Sequence, residues 1–559
     1  MAIRAGGAFM LAGALTILLL FMNRAGHDLV PLSRPATESV AHQPDSPASD
    51  VAGESPQPEA SLDPSVFFVD VEAGPVRGGP HNFGVPIAIY GKGFGPERGS
   101  SKVTIGGSEV ASYLSWGAGN AHNKALDRIE VQPGPDCKGG PIVVTVNGKP
   151  SNSDHSFSVI AGSIYAVAPT GSDSNSCSLT APCATISKVV SVMKPGDAVL
   201  LREGTYTEGE IWIRALQGGS AGRPKVIKAY PGEEVYLANA ARGFLVDADY
   251  VTVADLNFQN GKFLAAVGWA SRDQRGDRFI NNTFVGVIGW AAIEIGGHDH
   301  LLAGNVCDIS GSSAGTMGHC YYVTQGNNVG ILYNIGAGAP GYGLHLYDER
   351  RENNDFQRVI SNVVVEGNVF RNSRQRSGMI VSMSDAGGYG NHIENIIVRN
   401  NIFTGNNHAG LILQGIARGV KVYNNTFYEN GLSGIYVEGD STLSGVDIRN
   451  NLIYQSANSA CASECGALPQ AHAQVGAGAR DITLLNNFYT PGPVLVIGIK
   501  DPSAVNGNVH FADAARLDFH VQSPSATIDH GVPLAAVATD YDGRRRPQGN
   551  GYDIGAFEY

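Results

Sequence analysis

One four-residue pattern recurs along the second half of this 559-residue chain and constrains its fold more than any other feature. Its second residue is always Asn, and its later residues are mostly apolar. The copies, one of them weaker, are Asn281-Asn-Thr-Phe, Gly304-Asn-Val-Cys, Tyr333-Asn-Ile, Gly367-Asn-Val-Phe, Asn400-Asn-Ile-Phe, Asn424-Asn-Thr-Phe, Asn450-Asn-Leu-Ile and Asn486-Asn-Phe-Tyr. Successive copies are 23, 29, 34, 33, 24, 26 and 36 residues apart. The shortest spacings are nearly equal, and the others exceed them by varying numbers of residues. This indicates one repeated unit that carries loops of different length.

A second pattern lies between these signatures. Segments such as 292–295, 320–323 and 343–346 place apolar or aromatic residues at their second and fourth positions, which is the period of a β-strand. Two or three short strands in each unit, with Asn and Gly at the corners, predict a parallel β-helix. Asn suits such corners because it tolerates a left-handed backbone and its amide can hydrogen-bond to neighbouring turns.

The composition agrees with an all-β protein rich in tight turns. Gly accounts for 72 residues, and only 16% of the chain is charged, against about 25% in ordinary globular proteins. The net charge of −12 leaves no basic field for a polyphosphate. We therefore expect no nucleic-acid partner, and we expect a monomer.

The N-terminal segment has the features of an export signal. Arg4 precedes an apolar run over residues 5–22, as in a signal peptide. The run is also nearly long enough to span a bilayer, so residues 1–24 are either a signal peptide or a membrane anchor. Residues 25–65 are rich in Pro, Ser and Ala, which predicts a disordered linker. The rest of the chain is then secreted, periplasmic or tethered at the cell surface.

Seven cysteines fit an oxidising compartment. Two pairs each bracket a short loop, and neither has the second Cys/His pair of a zinc site, so we predict local disulfides. These pairs are Cys177 with Cys183 and Cys461 with Cys465. Cys307 and Cys320 lie in apolar patterns and are predicted to be buried core residues, whereas Cys137 has no evident partner.

Residues 66–161 are predicted to form a small β-sandwich, because short strands alternate there with Gly and Pro turns. The segments Gly91-Lys-Gly-Phe-Gly, Ile105-Gly-Gly and Val144-Thr-Val-Asn-Gly-Lys-Pro-Ser-Asn are similar to those of IPT/TIG immunoglobulin-like domains. The resemblance implies a spacer or a glycan-contacting module without catalysis.

Residues 162–510 resemble the right-handed parallel β-helix, or pectin-lyase-like, superfamily. The residues that carry the likeness are the Asn signatures and the segment 164–206, which looks like the N-terminal cap and first coils of secreted members. Residues 511–559, with Asp540-Tyr-Asp-Gly-Arg and Gly551-Tyr-Asp-Ile-Gly-Ala-Phe-Glu-Tyr, are similar to the segment that closes such helices. The resemblance implies an enzyme acting on a polysaccharide.

In a β-helix the inward positions are filled by packing, so chemistry falls to outward residues that stack about 4.8 Å apart from coil to coil. Aligning the strands between the signatures gives two outward rows. The first is Glu294, Tyr322, His345, Ile380, Ile412 and Tyr436. The second is Gly296, Thr324, Tyr347, Ser382, Gln414 and Glu438. Polar and aromatic residues concentrate on three or four adjacent coils, which predicts a site for a few sugar units.

The roles predicted within this site divide into catalysis and binding. Catalytic candidates are His345, Tyr322 and Glu294 on the first row, with Asp348, Arg350, Arg351 and Asp385 in the loops beside it. Substrate-binding candidates are Tyr347, His319, Ser382, Gln414, Tyr436 and Glu438. No metal ligands are predicted, although Ca²⁺ stays open as a cofactor.

Three functions fit these residues. The first is β-elimination on an acidic polysaccharide, with Arg350 or Arg351 neutralising the uronate carboxylate and with His345 and Tyr322 as base and acid. The Lys/Arg and Ca²⁺-binding Asp pattern of the well-known lyase families does not map onto this sequence. The second is glycoside hydrolysis, which needs two carboxylates about 5–9.5 Å apart, such as Asp348 and Asp385. The third is a non-catalytic, glycan-binding surface protein.

Overall fold

The computed structural model describes residues 62–117, 122–238, 242–261, 263–267, 274–312, 315, 318–347, 358–385, 388–439, 442–456, 471–476, 479–490 and 496–559. These residues belong to one compact unit that spans residues 60–559. The predicted signal or anchor, nearly all of the predicted linker and the predicted Cys461–Cys465 pair lie outside the described residues. Within the described residues, no helix has the length and apolarity needed to cross a membrane.

The first ten strands form a two-sheet β-sandwich. They are β1 Ser65–Val69, β2 Ala73–Gly74, β3 Ile87–Lys92, β4 Lys102–Ile105, β5 Ser108–Glu109, β6 Ser112–Gly117, β7 Asp127–Gln132, β8 Gly140–Val146, β9 Lys149–Pro150 and β10 Ser156–Val159. One sheet has the order β1-β3-β7-β6, and the other has the order β2-β10-β8-β4-β5, with β9 paired to β8. Val and Ile side chains of both sheets, such as Ile89 and Ile142, are fully buried between them.

The rest of the chain winds into a parallel β-helix, in which each coil contributes strands to three faces. The site face contains β14 Ile211–Ile213, β17 Arg242–Val246, β20 Phe263–Val267, β23 Ala291–His298, β26 His319–Leu332, β28 Leu344–Tyr347, β31 Met379–Met383, β34 Ala409–Gly415, β37 Ser433–Val437, β40 Ala473–Val475 and β43 Val496–Ile497. Each of these strands pairs in parallel with the next one along the solenoid, as β28 does with β31. The fold is therefore the all-β solenoid that the repeat predicts.

The second and third faces complete each coil. The second face contains β11 Ile164–Val167, β12 Ala198–Leu201, β15 Lys225–Ala229, β18 Val251–Ala254, β21 Arg278–Ile280, β24 Leu301–Ala303, β29 Val359–Glu366, β32 His392–Arg399, β35 Ala417–Tyr423, β38 Val446–Arg449 and β41 Ile482–Leu485, and it also uses the end of β26. The third face contains β13 Gly204–Tyr206, β16 Val235–Ala238, β19 Asn257–Gln259, β22 Thr283–Val285, β25 Val306–Asp308, β27 Ile335–Ala337, β30 Val369–Arg371, β33 Ile402–Thr404, β36 Thr426–Tyr428, β39 Leu452–Tyr454 and β42 Phe488–Tyr489.

The Asn signatures form the corner between the second and third faces. The first residue of each signature has a left-handed backbone, as in Asn400 with φ 53° and Gly367 with φ 66°. The second residue is buried, and its amide joins a ladder along the solenoid. Asn368 Nδ2 donates to Asn401 Oδ1 at 2.9 Å, and Asn401 Nδ2 donates to Asn425 Oδ1 at 2.9 Å. The ladder runs through Asn282, Asn305, Asn334, Asn368, Asn401, Asn425, Asn451 and Asn487 to Asp501.

A helix covers the start of the solenoid, and a C-terminal segment covers part of its third face. Helix α1, Ile186–Val192, begins after Thr185, whose side chain accepts the N–H of Lys188, and its apolar residues join the core of the first coils. After the last coil, the hairpin β44 Phe511–Asp513 and β45 Asp518–Val521 and the C-terminal tail pack against the third face. The tail contains a fully buried ion pair between Arg546 and Glu558. Three-residue 3₁₀ turns occur at Pro80–Asn82, Ala215–Gln217 and Ala514–Arg516.

The sandwich packs against the second face through a buried charge cluster. Lys228 on β15 is fully buried, and its Nζ lies 2.5 Å from Asp70 Oδ2 and 3.1 Å from Glu130 Oε1 of the sandwich. Arg128 Nη2 lies 3.0 Å from Asp255 Oδ2 of the β-helix. Burial alone lowers the pKa of a lysine, but the surrounding carboxylates reverse that effect and raise the pKa of Lys228. Lys228 therefore keeps its charge, and the cluster joins the two structural regions.

The cysteines follow the predictions in one pair and depart from them in another. Cys177 and Cys183 form the predicted disulfide, and Cys137 has a free thiol. Cys307 and Cys320 are buried, as predicted, but the expectation of two separate core residues is wrong because they form a second disulfide. They are 13 residues apart in sequence, and their Cα atoms lie 5.7 Å apart because one coil brings β25 next to β26.

Candidate functional site

The first outward row has the order that the sequence predicts. Parallel pairing places Glu294 beside Tyr322, Tyr322 beside His345, and His345 beside Ile380. It continues from Ile380 through Ile412 to Tyr436. The residues on either side in each strand, such as Tyr321 and Val323, belong to the solenoid core. Alternation along the strand therefore directs this site row away from the core.

An aromatic cluster surrounds His345. The centroid of its ring lies 4.7 Å from that of Tyr322, 4.9 Å from that of Tyr342 and 5.2 Å from that of Tyr347, all in stacked geometry. The ring of His319 lies 4.3 Å away, tilted by 49°. The neighbouring rings bury this part of the row, so that only 3% of His345 and 7% of Tyr322 are exposed.

His319 is fixed by the backbone in one tautomer. Its Nδ1 accepts the N–H of Tyr342 at 3.0 Å, so in the neutral ring the proton is on Nε2. Nε2 is buried and has no hydrogen-bond partner among the described residues. Burial, with the positive charge of Arg376 adding to it, lowers the pKa of His319 to about 3. His319 is therefore neutral at physiological pH.

His345 is a second neutral imidazole in the same cluster. Burial lowers its pKa well below the ordinary value, and His319 and Arg376 lower it further. Its Nδ1 is buried and has no hydrogen-bond partner in the part of the chain that the structure describes. A neutral imidazole has a lone pair that can accept a proton, as a general base does, and the lowered pKa makes His345 a weaker base than an ordinary histidine.

Arg376 is a functional candidate that the sequence did not single out. It precedes strand β31, one coil after His345, and its charge lowers the pKa of His319, His345 and His408. Burial and this charge together lower the pKa of His408 to about 4. The sequence signal was weak because Arg376 lies in a turn and not at an outward strand position. It places a half-buried positive charge beside the aromatic cluster.

Glu294 forms the other side of the cluster. Its side chain is 3% exposed, and its Oε2 accepts the indole N–H of Trp290 at 3.2 Å. The backbone carbonyl of Trp290 accepts the N–H of His319 at 2.8 Å, so Trp290 lies one coil before His319. Trp290 is 43% exposed, which provides an accessible aromatic surface next to the buried carboxylate.

The second outward row is regular only in part. Tyr347 pairs with Ser382, and Ser382 pairs with Gln414. The predicted neighbours Gly296 and Thr324 are not paired, because the register shifts after Ile295 and Gly296 lies opposite Gln325. The extra residue, Thr324, is buried and its hydroxyl donates to the carbonyl of Ile295 at 3.2 Å. This irregularity beside the aromatic cluster is a β-bulge, a feature frequent next to active sites.

The remaining binding candidates lie further along the same face. Ser382 is buried, and Gln414, Tyr436 and Glu438 are half-buried. The ring of Tyr436 lies 6.4 Å from that of His408 in edge-to-face geometry. Burial, and after it the charge of Glu438, raises the pKa of Tyr436. These residues extend the polar part of the site three coils beyond His345.

Of the four catalytic candidates predicted in loops, the structure describes one. Asp348, Arg350 and Arg351 lie outside the described residues. Asp385 is described, and its two carboxylate oxygens accept the N–H groups of Tyr389 and Gly390, both at 2.8 Å. It therefore closes its own turn. Within the described ranges, no group of three or more His, Cys, Asp or Glu side chains is arranged to hold a metal ion.

Comparisons with known proteins fall on two parts of the chain. Residues 320–475, which contain Tyr322 and His345, match the family described as right handed beta helix region. Residues 181–284 match the family described as chondroitinase B, and this match ends before Glu294. The solenoid is thus a right-handed parallel β-helix.

Similar proteins include several that act on carbohydrates by name. Pectate lyase PEL9 of Emericella nidulans is 35% identical over 123 residues, which are 19% of this chain and 30% of that enzyme. The chain thus spans about a third of the length of this curated relative. The structure of pectate lyase Pel9A is 19% identical and covers 71% of this chain and 96% of its own, with a TM-score of 0.47. The A-module of mannuronan C-5 epimerase AlgE4 from Azotobacter vinelandii is 12% identical over 56% of this chain and 91% of its own, with a TM-score of 0.35.

Proposed function

We propose that this protein is an exported polysaccharide lyase that cleaves a uronate-containing polymer by β-elimination. The observation that carries the proposal is the aromatic cluster. It holds two neutral imidazoles and a tyrosine together beside Arg376, on the outward face of a β-helix. The local matches to a pectate lyase and to the chondroitinase B family support the same class of reaction.

β-Elimination on a uronate needs three functions, and the site contains a group for each. A cation must neutralise the carboxylate, a base must remove the proton on C5, and an acid must protonate the leaving oxygen on C4. Arg376 adds to Arg350 and Arg351 as a candidate for the first function. His345 and Tyr322 are candidates for the base and the acid, because their rings stack on neighbouring coils.

The bond changes balance without any added reactant. The proton on C5 passes to the base, the electron pair of that C–H bond forms the C4–C5 double bond, and the C4–O bond breaks. The acid then gives a proton to the departing oxygen. The products are one new chain end and one unsaturated uronate, so neither water nor an oxidant is consumed.

Export is the second part of the proposal. Two disulfides, Cys177–Cys183 and Cys307–Cys320, are the structural sign of an oxidising compartment. The apolar run at residues 5–22 would direct the chain there, either as a signal or as a tether.

A product assay tests the proposed reaction. The purified full chain would be incubated with polygalacturonate, alginate, chondroitin sulfate and dermatan sulfate, with and without a chelator. We expect ultraviolet absorbance from an unsaturated sugar on at least one polymer, and a loss of that signal in the His345→Ala variant. New reducing ends without absorbance would replace the proposal with hydrolysis. Binding without turnover would replace it with a glycan-binding surface protein.

A further inference from the structure

A tryptophan lies on the line of the site row, at some distance from the aromatic cluster. Trp212 on β14 pairs with Leu245, Leu245 pairs with Ala266, and Ala266 pairs with Glu294. Trp212 therefore precedes His345 by five coils on the same line. At about 4.8 Å per coil, this separation is about 24 Å.

Trp212 faces outward and is held in place. Its neighbours Ile211 and Ile213 are each 1% exposed and belong to the solenoid core, whereas Trp212 is half-buried. Its indole N–H donates to Asp247 Oδ2 on the next coil at 2.8 Å. The guanidinium carbon of Arg214 lies 4.4 Å from the centre of the Trp212 rings.

Arg214 differs from the other arginines that lie over aromatic rings in the described residues. Arg98 over Tyr113 pairs with Glu109, Arg128 over Tyr90 pairs with Asp255, and Arg202 over Tyr230 pairs with Glu233. Arg214 is exposed and makes no ion pair with any described residue. It is thus a fixed cation without a carboxylate partner, in a chain whose net charge is −12.

We propose that Trp212 and Arg214 form a distal subsite that binds the carboxylate of a uronate residue in the same polysaccharide chain that reaches His345. The planar guanidinium presents several N–H donors, which suits a carboxylate. Stacking on the indole reduces the freedom that Arg214 must lose on binding. This inference rests on the proposed function for the identity of the substrate. The inference adds that the protein binds a long stretch of the polysaccharide, as an enzyme that cuts within polymer chains does.

Binding measurements on the purified full chain test the subsite separately from turnover. The variants are Arg214→Ala and, as a control of equal charge change, Arg418→Ala, because Arg418 is exposed on the second face. The probes are the four acidic polymers named above, their disaccharides, and polygalacturonate with its carboxyl groups methyl-esterified. In each protein, His345→Ala prevents cleavage during the measurement.

We expect Arg214→Ala to weaken binding of one acidic polymer by about three- to tenfold, as for a single charge-assisted contact. Binding of the disaccharides and of the esterified polymer, and every value for Arg418→Ala, should change little. Equal losses for polymer and disaccharide, or no loss, would overturn the subsite. Failure of the parent protein to bind any acidic polymer would overturn it as well. If binding depends on Arg214 but the protein with intact His345 forms no unsaturated product from any of the polymers, the subsite stands and only the lyase reaction is removed.

Discussion

The imidazole of His345 stacks on the phenol ring of Tyr322, one coil before it, with ring centroids 4.7 Å apart and planes 27° apart. The two residues are 23 positions apart in sequence, and they meet because the coils are in register at this point. A base and an acid on neighbouring coils can both reach one sugar ring. The predictions below test this arrangement and the parts of the fold that hold it.

Replacing His345 by alanine should abolish most catalysis and leave the fold intact. General acid–base groups contribute about 10²–10⁴-fold to a rate, so we expect kcat to fall by about that factor. The unsaturated product reports kcat, and thermal unfolding reports the fold. His392→Ala on the second face is a matched control, and it should retain full activity. Equal activity of the His345 and His392 variants would contradict the assignment.

The low pKa of His319 predicts a dependence of stability on pH. The unfolded chain binds a proton near pH 6.5, whereas the folded chain does so only near pH 3. Between these values the unfolded state holds more protons, so the free energy of unfolding should decrease as the pH falls from about 6.5 to about 3. The effect should amount to a few kcal/mol, at about 1.4 kcal/mol per unit.

The variant His319→Asn isolates this contribution. An asparagine oxygen can still accept the N–H of Tyr342, but the side chain does not titrate. Denaturant unfolding at a series of pH values should show a shallower slope for the variant in this window. Identical slopes would show that His319 is not held neutral by the fold.

Removing one rung of the Asn ladder should destabilise the solenoid without touching the site. Asn401 is fully buried, and its loss removes the acceptor of the buried backbone N–H of Asn368 and the N–H that the carbonyl of Val365 accepts. A buried polar group without a partner costs about 1–3 kcal/mol, so we expect Asn401→Ala to lower the free energy of unfolding by at least that amount. Asn407→Ala, outside the ladder, is the control and should have little effect in the same denaturant titration.

Lys228 should be essential for the attachment of the sandwich. Replacing Lys228 by Met removes the only positive charge within 3.2 Å of Asp70 among the described residues. The buried carboxylates of Asp70 and Glu130 then lose their contact with Lys228. Breaking a buried ion pair costs about 3–5 kcal/mol. We expect Lys228→Met to lower stability by this amount and to expose the sandwich to proteolysis, whereas exposed Lys138→Met should not. Unchanged proteolysis would show that the remaining contacts, among them the Arg128–Asp255 ion pair, hold the two regions together without Lys228.

The sequence predicted the solenoid and the site row because both depend on a local repeat. A signature that returns every coil fixes the register, and the register places Glu294, Tyr322 and His345 on one line. The prediction failed for Thr324, because a single inserted residue changes the register without altering the alternation of residue types. The amino-acid sequence therefore gives no sign of this register shift.

Other features depend on contacts that no local pattern encodes. Arg376 acts through its distance from three histidines on other coils, and Cys307 reaches Cys320 only once a coil has closed. The depth of His345 results from the rings around it, among them Tyr342, which lies before its strand.

The ladder of corner amides has a direction. From Asn282 to Asn487, each NH₂ group points to the oxygen of the following amide, and the last one points to Asp501, which as a carboxylate can only accept. Turning one amide around would set two NH₂ groups, or two oxygens, against each other. The backbone fixes the same direction at every step, because the oxygen of Asn401 accepts the backbone N–H of Asn368 and its NH₂ group donates to the carbonyl of Val365. The aligned amides therefore read as one polar column along the corner, and the acceptor Asp501 closes it at the far end.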